Sequence, residues 1–316
     1  MTGKRSRGCK LSNLSDELAK NGKQIGKMTA TTEKALVSNY RQGLMNIRIK
    51  LVALYDKYGV DGKLTYAEMT RYNRLKTLHK ELESELIALT GRNGRATRTL
   101  SAKAYEESYF RYGYAIEKVA GVNLRWGILK REVIQQSVQN PISGLTLNET
   151  LAKNRAGIII KVRQEVTQGL IQGESYFKMA ARIKDTLGKD AVKAMRVART
   201  EAHRNQVAGE LDSLDHVEEQ GIEIKRFWIA TLDGDTRDSH GAADGQVADE
   251  DGLFTVGGVK TRGPGQSGIA AEDINCRCDV GTEVEDIKPS VRRIKGEGVK
   301  KNITYDEWKK AKGKVA

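Results

Sequence analysis

The feature that most constrains the fold is the spacing of apolar residues, which recur at intervals of three and four along most of the first 200 residues. Side chains at this spacing lie on one face of an α-helix, so the pattern predicts long amphipathic helices. Only three prolines occur in 316 residues, and little therefore interrupts a helix. The first helix is predicted over about 32–58, with an apolar seam formed by Val37, Tyr40, Leu44, Ile47, Leu51 and Leu54.

A second helix is predicted to end near Leu89, after a glycine-containing break at 58–62. Thr65 and Glu68 have the spacing of a capping box at its start. Two helices joined by such a short connection predict an antiparallel hairpin. The basic stretch 91–98 contains two glycines and predicts a loop.

A tyrosine-rich helix is predicted from Ser101 to about Val119. Its rings could stack on nucleic-acid bases, but packing between helices is the favoured interpretation. This cluster consists of Tyr105, Tyr109, Phe110, Tyr112 and Tyr114.

Glycines and a second capping box divide the helical pattern further along the chain. Thr146 and Glu149 predict the start of a helix that Gly173 ends, and Gly188 is predicted to end the next one.

The pattern changes after Gly221. Residues 222–230 alternate and are rich in β-branched and aromatic side chains, which predicts a strand. A hairpin is predicted to turn at Gly257 and Gly258, and another strand to follow Cys276. The predicted fold class is therefore α+β. Long N-terminal helices form a helical hairpin or bundle, and a small α+β domain with a short antiparallel sheet follows.

The net charge of +13 is distributed unevenly. Residues 1–200 carry about +19, residues 201–290 about −12 and residues 291–316 about +6. Strong positive charge favours a polyanionic partner such as nucleic acid, although solvated helix faces balanced by an acidic neighbour fit the same distribution. No run of about 18 apolar residues occurs, so no membrane partner is expected.

Three cysteines argue against a disulfide framework. Cys9 lies in the basic N-terminal stretch, and a disulfide between Cys276 and Cys278 would be strained because one residue separates them. Free thiols in a reducing cytosol are the expectation.

Histidine and cysteine concentrate between residues 196 and 280. His240, Cys276 and Cys278 offer three zinc ligands, and the candidates for a fourth are His203, Asp235 and Asp244. In the alternative interpretation the thiols pack as small apolar groups and His240 bonds a backbone carbonyl. The Asp-Gly-Asp at 233–235 resembles half of a calcium loop but lacks the glutamate at loop position twelve. No cofactor is therefore predicted, and zinc stays open.

A catalytic interpretation would use His203 or His240 as acid and base, with Arg199 or Arg237 holding a phosphate. Glu201 is expected to reach across to a cation such as Arg237. Neither a phosphate-binding loop nor a Gly-x-Ser-x-Gly elbow is present, and the Ser-Thr-Ser strand of ADP-ribosyl transferases is missing. We predict no enzymatic activity. The alternative is a nuclease-like toxin or processing enzyme that uses His203, Arg237 and His240.

Six short motifs follow one another along the chain in the order ARTEAHR, WIATLDGDTRDSH, DGQ, the turn at Phe254, GPG and INCRCDV. Together they resemble the phage head morphogenesis family typified by protein F of phage Mu. The resemblance covers about residues 145–285. The residues that carry it are Arg199, Thr200, Glu201, Trp228, Asp235, Arg237, His240, Asp244, Gly245, Pro264, Asn275, Cys276, Arg277 and Cys278. The turn at Phe254 belongs to the same series.

This resemblance implies a minor head (minor capsid) protein of a tailed phage or prophage. Such a protein is expected in the virion, inside the head near the portal, and in the host cytoplasm during assembly. It implies the portal protein and major capsid or scaffold proteins as partners, and a role in procapsid assembly and in DNA packaging or ejection. The basic helices are expected to contact double-stranded phage DNA.

Four consecutive regions are expected from these patterns. Residues 1–28 form a flexible basic arm, residues 29–140 a helical domain and residues 145–285 the head morphogenesis domain. A basic C-terminal tail at 286–316 contains a short helix, for which Thr304 and Glu307 provide a capping box.

Overall fold

The computed structural model describes residues 5–231 and 233–284, with side chains from residue 17 onward. Long helices come first and short strands follow, which confirms the predicted α+β class. The elements in chain order are α1 (Arg5–Tyr58), α2 (Tyr66–Thr70), a 3-10 turn (Arg71–Asn73), α3 (Arg74–Ala120), α4 (Arg131–Val138), α5 (Leu147–Ile171), α6 (Tyr176–Glu218), β1 (Ile224–Ile229), α7 (Asp238–Ala242), β2 (Phe254–Val256), β3 (Val259–Thr261), α8 (Ala270–Asp273) and β4 (Asp279–Val284).

Within the described part of the chain, the strands form two separate antiparallel pairs. β1 pairs with β4, so that Ile224 lies opposite Val284 and Ile229 lies opposite Asp279. β2 and β3 form the predicted hairpin around Gly257 and Gly258. Among the helices that the structure describes, none is both long enough and apolar enough to span a bilayer.

The chain forms two compact units, each assembled from stretches that are distant in sequence. The first unit comprises the described parts of 1–29, 100–144 and 199–316, and the second comprises 30–99 and 145–198. The four consecutive regions expected from sequence divide the chain differently, and they stay a prediction.

In the second unit, α1 and α3 form an antiparallel pair. Asn39 donates a hydrogen bond to Asn93 at 2.8 Å, and Asn46 donates one to Glu85 at 2.9 Å. The residue numbers on α3 decrease as the residue numbers of their partners on α1 increase. The two helices therefore run antiparallel, which confirms the predicted hairpin. Apolar side chains from α1, α3, α5 and α6 fill the core of this unit, among them Ile47, Leu51, Leu82, Leu86, Val162, Val166 and Ile183.

The loop predicted at 91–98 is wrong, because α3 continues through it. Buried positions recur at helical spacing through this stretch. Two of them hold the polar residues Asn93 and Thr97, so the apolar pattern that predicts a helix is missing. A Cβ at Gly94 would lie 3.3 Å from Cδ1 of Leu151, so this glycine allows close packing instead of breaking the helix.

The helix end predicted at Gly188 is also wrong, because α6 continues to Glu218. A glycine inside a helix costs about 1 kcal/mol relative to alanine. Burial of Leu187, with Ala191 and Ala194 packed beside it, outweighs that cost.

Residues 5–28 belong to helix α1, although their composition is typical of a flexible basic arm. Asn21 is fully buried, and its Nδ2 lies 2.9 Å from both Ser108 Oγ and Glu210 Oε1. Leu18 packs against the apolar cluster around Leu214. These tertiary contacts stabilise a helix where local apolar patterning is weak.

Thr65 caps α2 as predicted, since its hydroxyl accepts from the Glu68 N–H at 3.2 Å. The helix predicted from there to Leu89 is nevertheless interrupted, because Tyr72 and Asn73 adopt φ values of 52° and 59°. The capping box of Thr146 and Glu149 is confirmed at the start of α5.

The aromatic cluster on α3 is buried, in agreement with packing between helices. Its members are 0–9% exposed: Tyr105, Tyr109, Phe110, Tyr112 and Tyr114. Such rings are not available to stack on bases. The capping box of Thr304 and Glu307 and the side chain of Cys9 lie outside the described residues.

Candidate functional site

One histidine and two cysteines meet in the interior of the first unit. Nδ1 of His240 lies 3.3 Å from Sγ of Cys278 and 3.7 Å from Sγ of Cys276. The three atoms all lie within 4.8 Å of one another, and each of the three residues is at most 3% exposed. Within residues 17–231 and 233–284, this is the group of side chains with the composition and spacing of a metal site.

Short elements of the strand-rich region position this cluster. His240 lies on α7, and Cys278 directly precedes β4, whose first residue Asp279 pairs with Ile229 at the end of β1. Asn275 adopts the left-handed conformation (φ 58°), which asparagine tolerates better than most residues. Its N–H donates to Oγ1 of Thr200 on α6 at 3.1 Å, and this bond anchors the turn that leads into the two cysteines.

A carboxylate holds the other side of the imidazole ring. Nε2 of His240 lies 2.9 Å from Oε2 of Glu272, and the Ser239 hydroxyl donates to the same oxygen at 2.9 Å. Trp228 packs edge-on against the ring, with the two centroids 5.6 Å apart. The contact with Glu272 favours a proton on Nε2, so Nδ1 is the nitrogen that faces the thiols.

The two thiols differ in acidity because they interact with each other. A hydrogen bond from Cys276, supported by the contact with His240, lowers the pKa of Cys278 well below its usual range. The same bond to Cys278, together with burial, raises the pKa of Cys276. The pKa of His240 is raised chiefly by its hydrogen bond to Cys278. The electrostatics of the cluster therefore favour a thiolate on Cys278 over one on Cys276.

The three residues considered as a fourth ligand do not join this group in the described structure. Asp235 is exposed, and its N–H bonds Asp233. Asp244 accepts from the Ala230 N–H at 2.9 Å. His203 is partly buried on α6, and this burial lowers its pKa although the Asp279 carboxylate opposes the shift.

Two members of the trio proposed for nuclease chemistry, Arg237 and His240, are engaged in other contacts. The Arg237 guanidinium donates to the Ile274 carbonyl, and His240 is committed to Glu272 and the thiols. Glu201 does not reach Arg237, so that expectation is wrong. It pairs at 3.2 Å with Arg204, one helical turn along α6, and both side chains are buried.

Several of the remaining motif residues fix the backbone around the cluster. Arg204 also donates to the carbonyl of Gly265 at 2.8 Å, beside the buried Pro264. A Cβ at Gly265, where φ is 72°, would lie 2.9 Å from Cγ of Arg204, so the close approach to α6 requires glycine there. Gly245, also in the left-handed region, donates its N–H to the carbonyl of Trp228 at 2.9 Å.

Two charged motif residues lie at the surface. Arg277 donates to Asp233 at 2.7 Å, and this contact lowers the pKa of Asp233 to about 2. Arg199 is exposed on α6.

Sequence reasoning missed Glu272, which contacts His240 more closely than any residue considered as a fourth ligand. The available signal was its position four residues before Cys276. It lies on the four-residue helix α8, which is too short to produce a periodic pattern.

Comparisons with known proteins found a matching family and several relatives. The family described as Phage Mu protein F like protein matches residues 160–281, a range that contains every motif residue named above. Minor head protein GP7 of Bacillus phage SPP1 is 32% identical over 295 residues, which cover 92% of this chain and 96% of GP7. No solved structure matches the chain.

Two further relatives share parts of their length with this chain. NAD(+)--arginine ADP-ribosyltransferase EFV of Enterococcus faecalis is 30% identical over 278 residues, or 88% of this chain and 56% of the relative. An uncharacterized protein of Haemophilus influenzae is 34% identical over 145 residues, or 45% of this chain and 29% of the relative.

The similarity to GP7 extends over nearly the whole of both chains, and the family match includes the interior cluster and the turns that support it. The chain therefore belongs to the family of phage minor head proteins.

Proposed function

We propose that this chain is an architectural component of a phage head, located inside the virion near the portal, where it binds the portal protein and packaged double-stranded DNA. The observation that carries this proposal is the end-to-end similarity to a minor head protein. Roles in procapsid assembly and in DNA packaging or ejection follow from that position. Major capsid or scaffold proteins are further partners of the same proposal.

An exposed basic stripe on α1 supports the contact with DNA. Lys34, Arg41 and Arg48 follow one another at intervals of seven residues, and all three are exposed. Seven residues make nearly two helical turns, so the three side chains lie on one face at intervals of about 10.5 Å. Arg48 also donates to the Tyr176 hydroxyl at 3.3 Å.

The charge of the surrounding unit favours the same partner. Residues 30–99 and 145–198 together carry a formal charge of about +11. A row of cations on a rigid helix can contact phosphates without reading bases. Binding that does not depend on the DNA sequence fits a protein that would contact any part of a packaged genome.

We expect binding of the full chain to a DNA duplex to weaken steeply with salt. Replacing Lys34, Arg41 and Arg48 together by glutamine should reduce the slope of log K against log[salt] by about 0.9 for each phosphate that the protein no longer neutralises. Fluorescence anisotropy with a labelled duplex at several salt concentrations measures this slope.

A control variant separates the effect of losing the stripe from the effect of losing three positive charges. Lys178, Lys184 and Lys193 are exposed on α6 of the same unit, and their replacement by glutamine removes the same charge. The control should retain most of the slope. An equal reduction of the slope in the two variants would contradict a specific role for the stripe.

We further propose that the chain performs no catalysis. Burial of His240 and both thiols, and the engagement of Arg237 by a carbonyl, support a structural role for these groups. The name of the Enterococcus relative describes that protein, much of which lies outside the match. Incubation with RNA and DNA should give no cleavage that disappears in His240→Ala; such cleavage would favour the nuclease alternative.

A further inference from the structure

The interior cluster has the chemistry and the spacing of a zinc site. We propose that Nδ1 of His240, Sγ of Cys276 and Sγ of Cys278 supply three of the four ligands of one Zn²⁺ ion. The ion would fasten α7 to the start of β4. This proposal is independent of DNA binding and of the portal.

The distances between the ligand atoms fit a tetrahedral ion. Zinc binds thiolate at about 2.3 Å and imidazole nitrogen at about 2.0–2.1 Å, so a tetrahedral site separates nitrogen and sulfur by about 3.5 Å. The two nitrogen–sulfur distances here are 3.3 and 3.7 Å. Both sulfurs therefore already lie at ligand spacing from the ring.

The surroundings of the histidine match those of a metal ligand. A ligating histidine usually donates its second N–H to a carboxylate, which fixes the ring and increases its basicity. Glu272 occupies this position at 2.9 Å from Nε2, and Ser239 in turn orients Glu272. Ordinary packing of two thiols would require neither the histidine nor this pair of polar supports.

Two other uses of the same residues fit less well. A thiol nucleophile activated by His240 and Glu272 would need to reach a substrate, yet Cys278 is only 2% exposed and His240 is equally buried. A disulfide between cysteines separated by one residue would be strained. The buried, unpaired thiols instead form a ligand set that matches zinc.

The local architecture gives such an ion a mechanical role. Between residues 224 and 284 the strands have three to six residues and the helices four or five. A zinc ion at this point would add a cross-link between α7 and the start of β4 to the apolar core that already packs these segments against α6.

The test is metal analysis of the full-length chain, purified without chelators from a reducing cytosol. We expect close to one zinc per chain in the wild type. The double variant Cys276→Ser, Cys278→Ser should lose the metal, whereas Cys9→Ser, which removes the remaining cysteine, should retain it. Zinc far below one per chain, or zinc retained by the double variant, would overturn the proposal.

Cobalt titration of wild-type protein stripped of metal keeps the test decisive if the double variant does not fold. One equivalent of Co²⁺ should give a thiolate-to-cobalt charge-transfer band and the visible bands of a tetrahedral ion. Glu272→Gln should preserve this spectrum but weaken metal affinity about 10- to 100-fold. Absence of the spectrum, or recovery of a Cys276–Cys278 disulfide from protein kept under nitrogen, would show that the cluster does not bind metal.

Discussion

Glu210 is a glutamate enclosed by α1, α3 and α6 in the first unit. Asn21 and Gln206 donate to its Oε1 at 2.9 and 3.1 Å. Burial, followed by the nearby Asp279 carboxylate, raises its pKa well above the ordinary value. Above the ordinary pKa of a glutamate, the folded chain therefore keeps a proton on Glu210 that an exposed glutamate would release.

The raised pKa of Glu210 predicts how the free energy of unfolding depends on pH. Because the unfolded chain releases it from about pH 4 upward, the contribution of Glu210 is fully present below that pH and is lost as pH rises toward its folded pKa. Relative to Glu210→Gln, the free energy of unfolding of the wild type should fall by up to about 1.4 kcal/mol per pH unit in this window. Urea unfolding at a series of pH values measures the difference.

The exposed residue Glu223 provides the matched control. Glu223→Gln removes the same charge without altering a buried group. A pH profile for Glu210→Gln that parallels both the wild type and this control would contradict the buried proton.

At the level of single residues, the metal-type side chains are predictable from the sequence, but not all of their partners are. His240, Cys276 and Cys278 stand out because their chemistry is rare in this chain. Glu201 was expected to reach a distant cation, whereas Arg204 lies three residues along the same helix and is the nearer partner. Contacts between short segments, such as Glu272 with His240, leave no periodic signal in the sequence.

At the level of elements, predictions succeed where one pattern dominates. The alternating run around Trp228 forms β1, and the diglycine at 257–258 turns the β2–β3 hairpin. Predictions fail where glycine is expected to end a helix, as at Gly188. The local cost of glycine is small compared with the burial of its neighbours, and burial depends on the tertiary fold.

The two environments of glycine on α6 give opposite predictions for alanine. No atom lies within 4 Å of a Cβ placed on Gly188, so Gly188→Ala should increase the free energy of unfolding by about 0.5–1 kcal/mol. A Cβ on Gly209 would overlap the backbone carbonyl of Tyr105, so Gly209→Ala should be destabilising.

Urea unfolding of the two variants, prepared in parallel, tests this contrast. Each substitution adds one methyl group to the same helix, so helix propensity alone would stabilise both variants. Stabilisation by Gly209→Ala would therefore show that α3 and α6 do not approach closely at this point.

At the level of the whole molecule, the sequence indicates the charge distribution and the family but not the division into units. Each unit combines stretches that are distant along the chain, such as 30–99 with 145–198. Periodicity and composition describe neighbours along the chain and carry no information about such pairings. In the motif region, the family resemblance links stretches that are distant along the chain, because it is carried by motifs in a fixed order.

Isolated procapsids allow the most direct test of the proposed function. Procapsids assembled with and without the portal protein would be purified, and this chain quantified in each by mass spectrometry. We predict that the chain is incorporated in the portal-containing particles and depleted in those without a portal. Equal amounts in the two preparations would contradict association with the portal, and absence from both would contradict a place in the phage head.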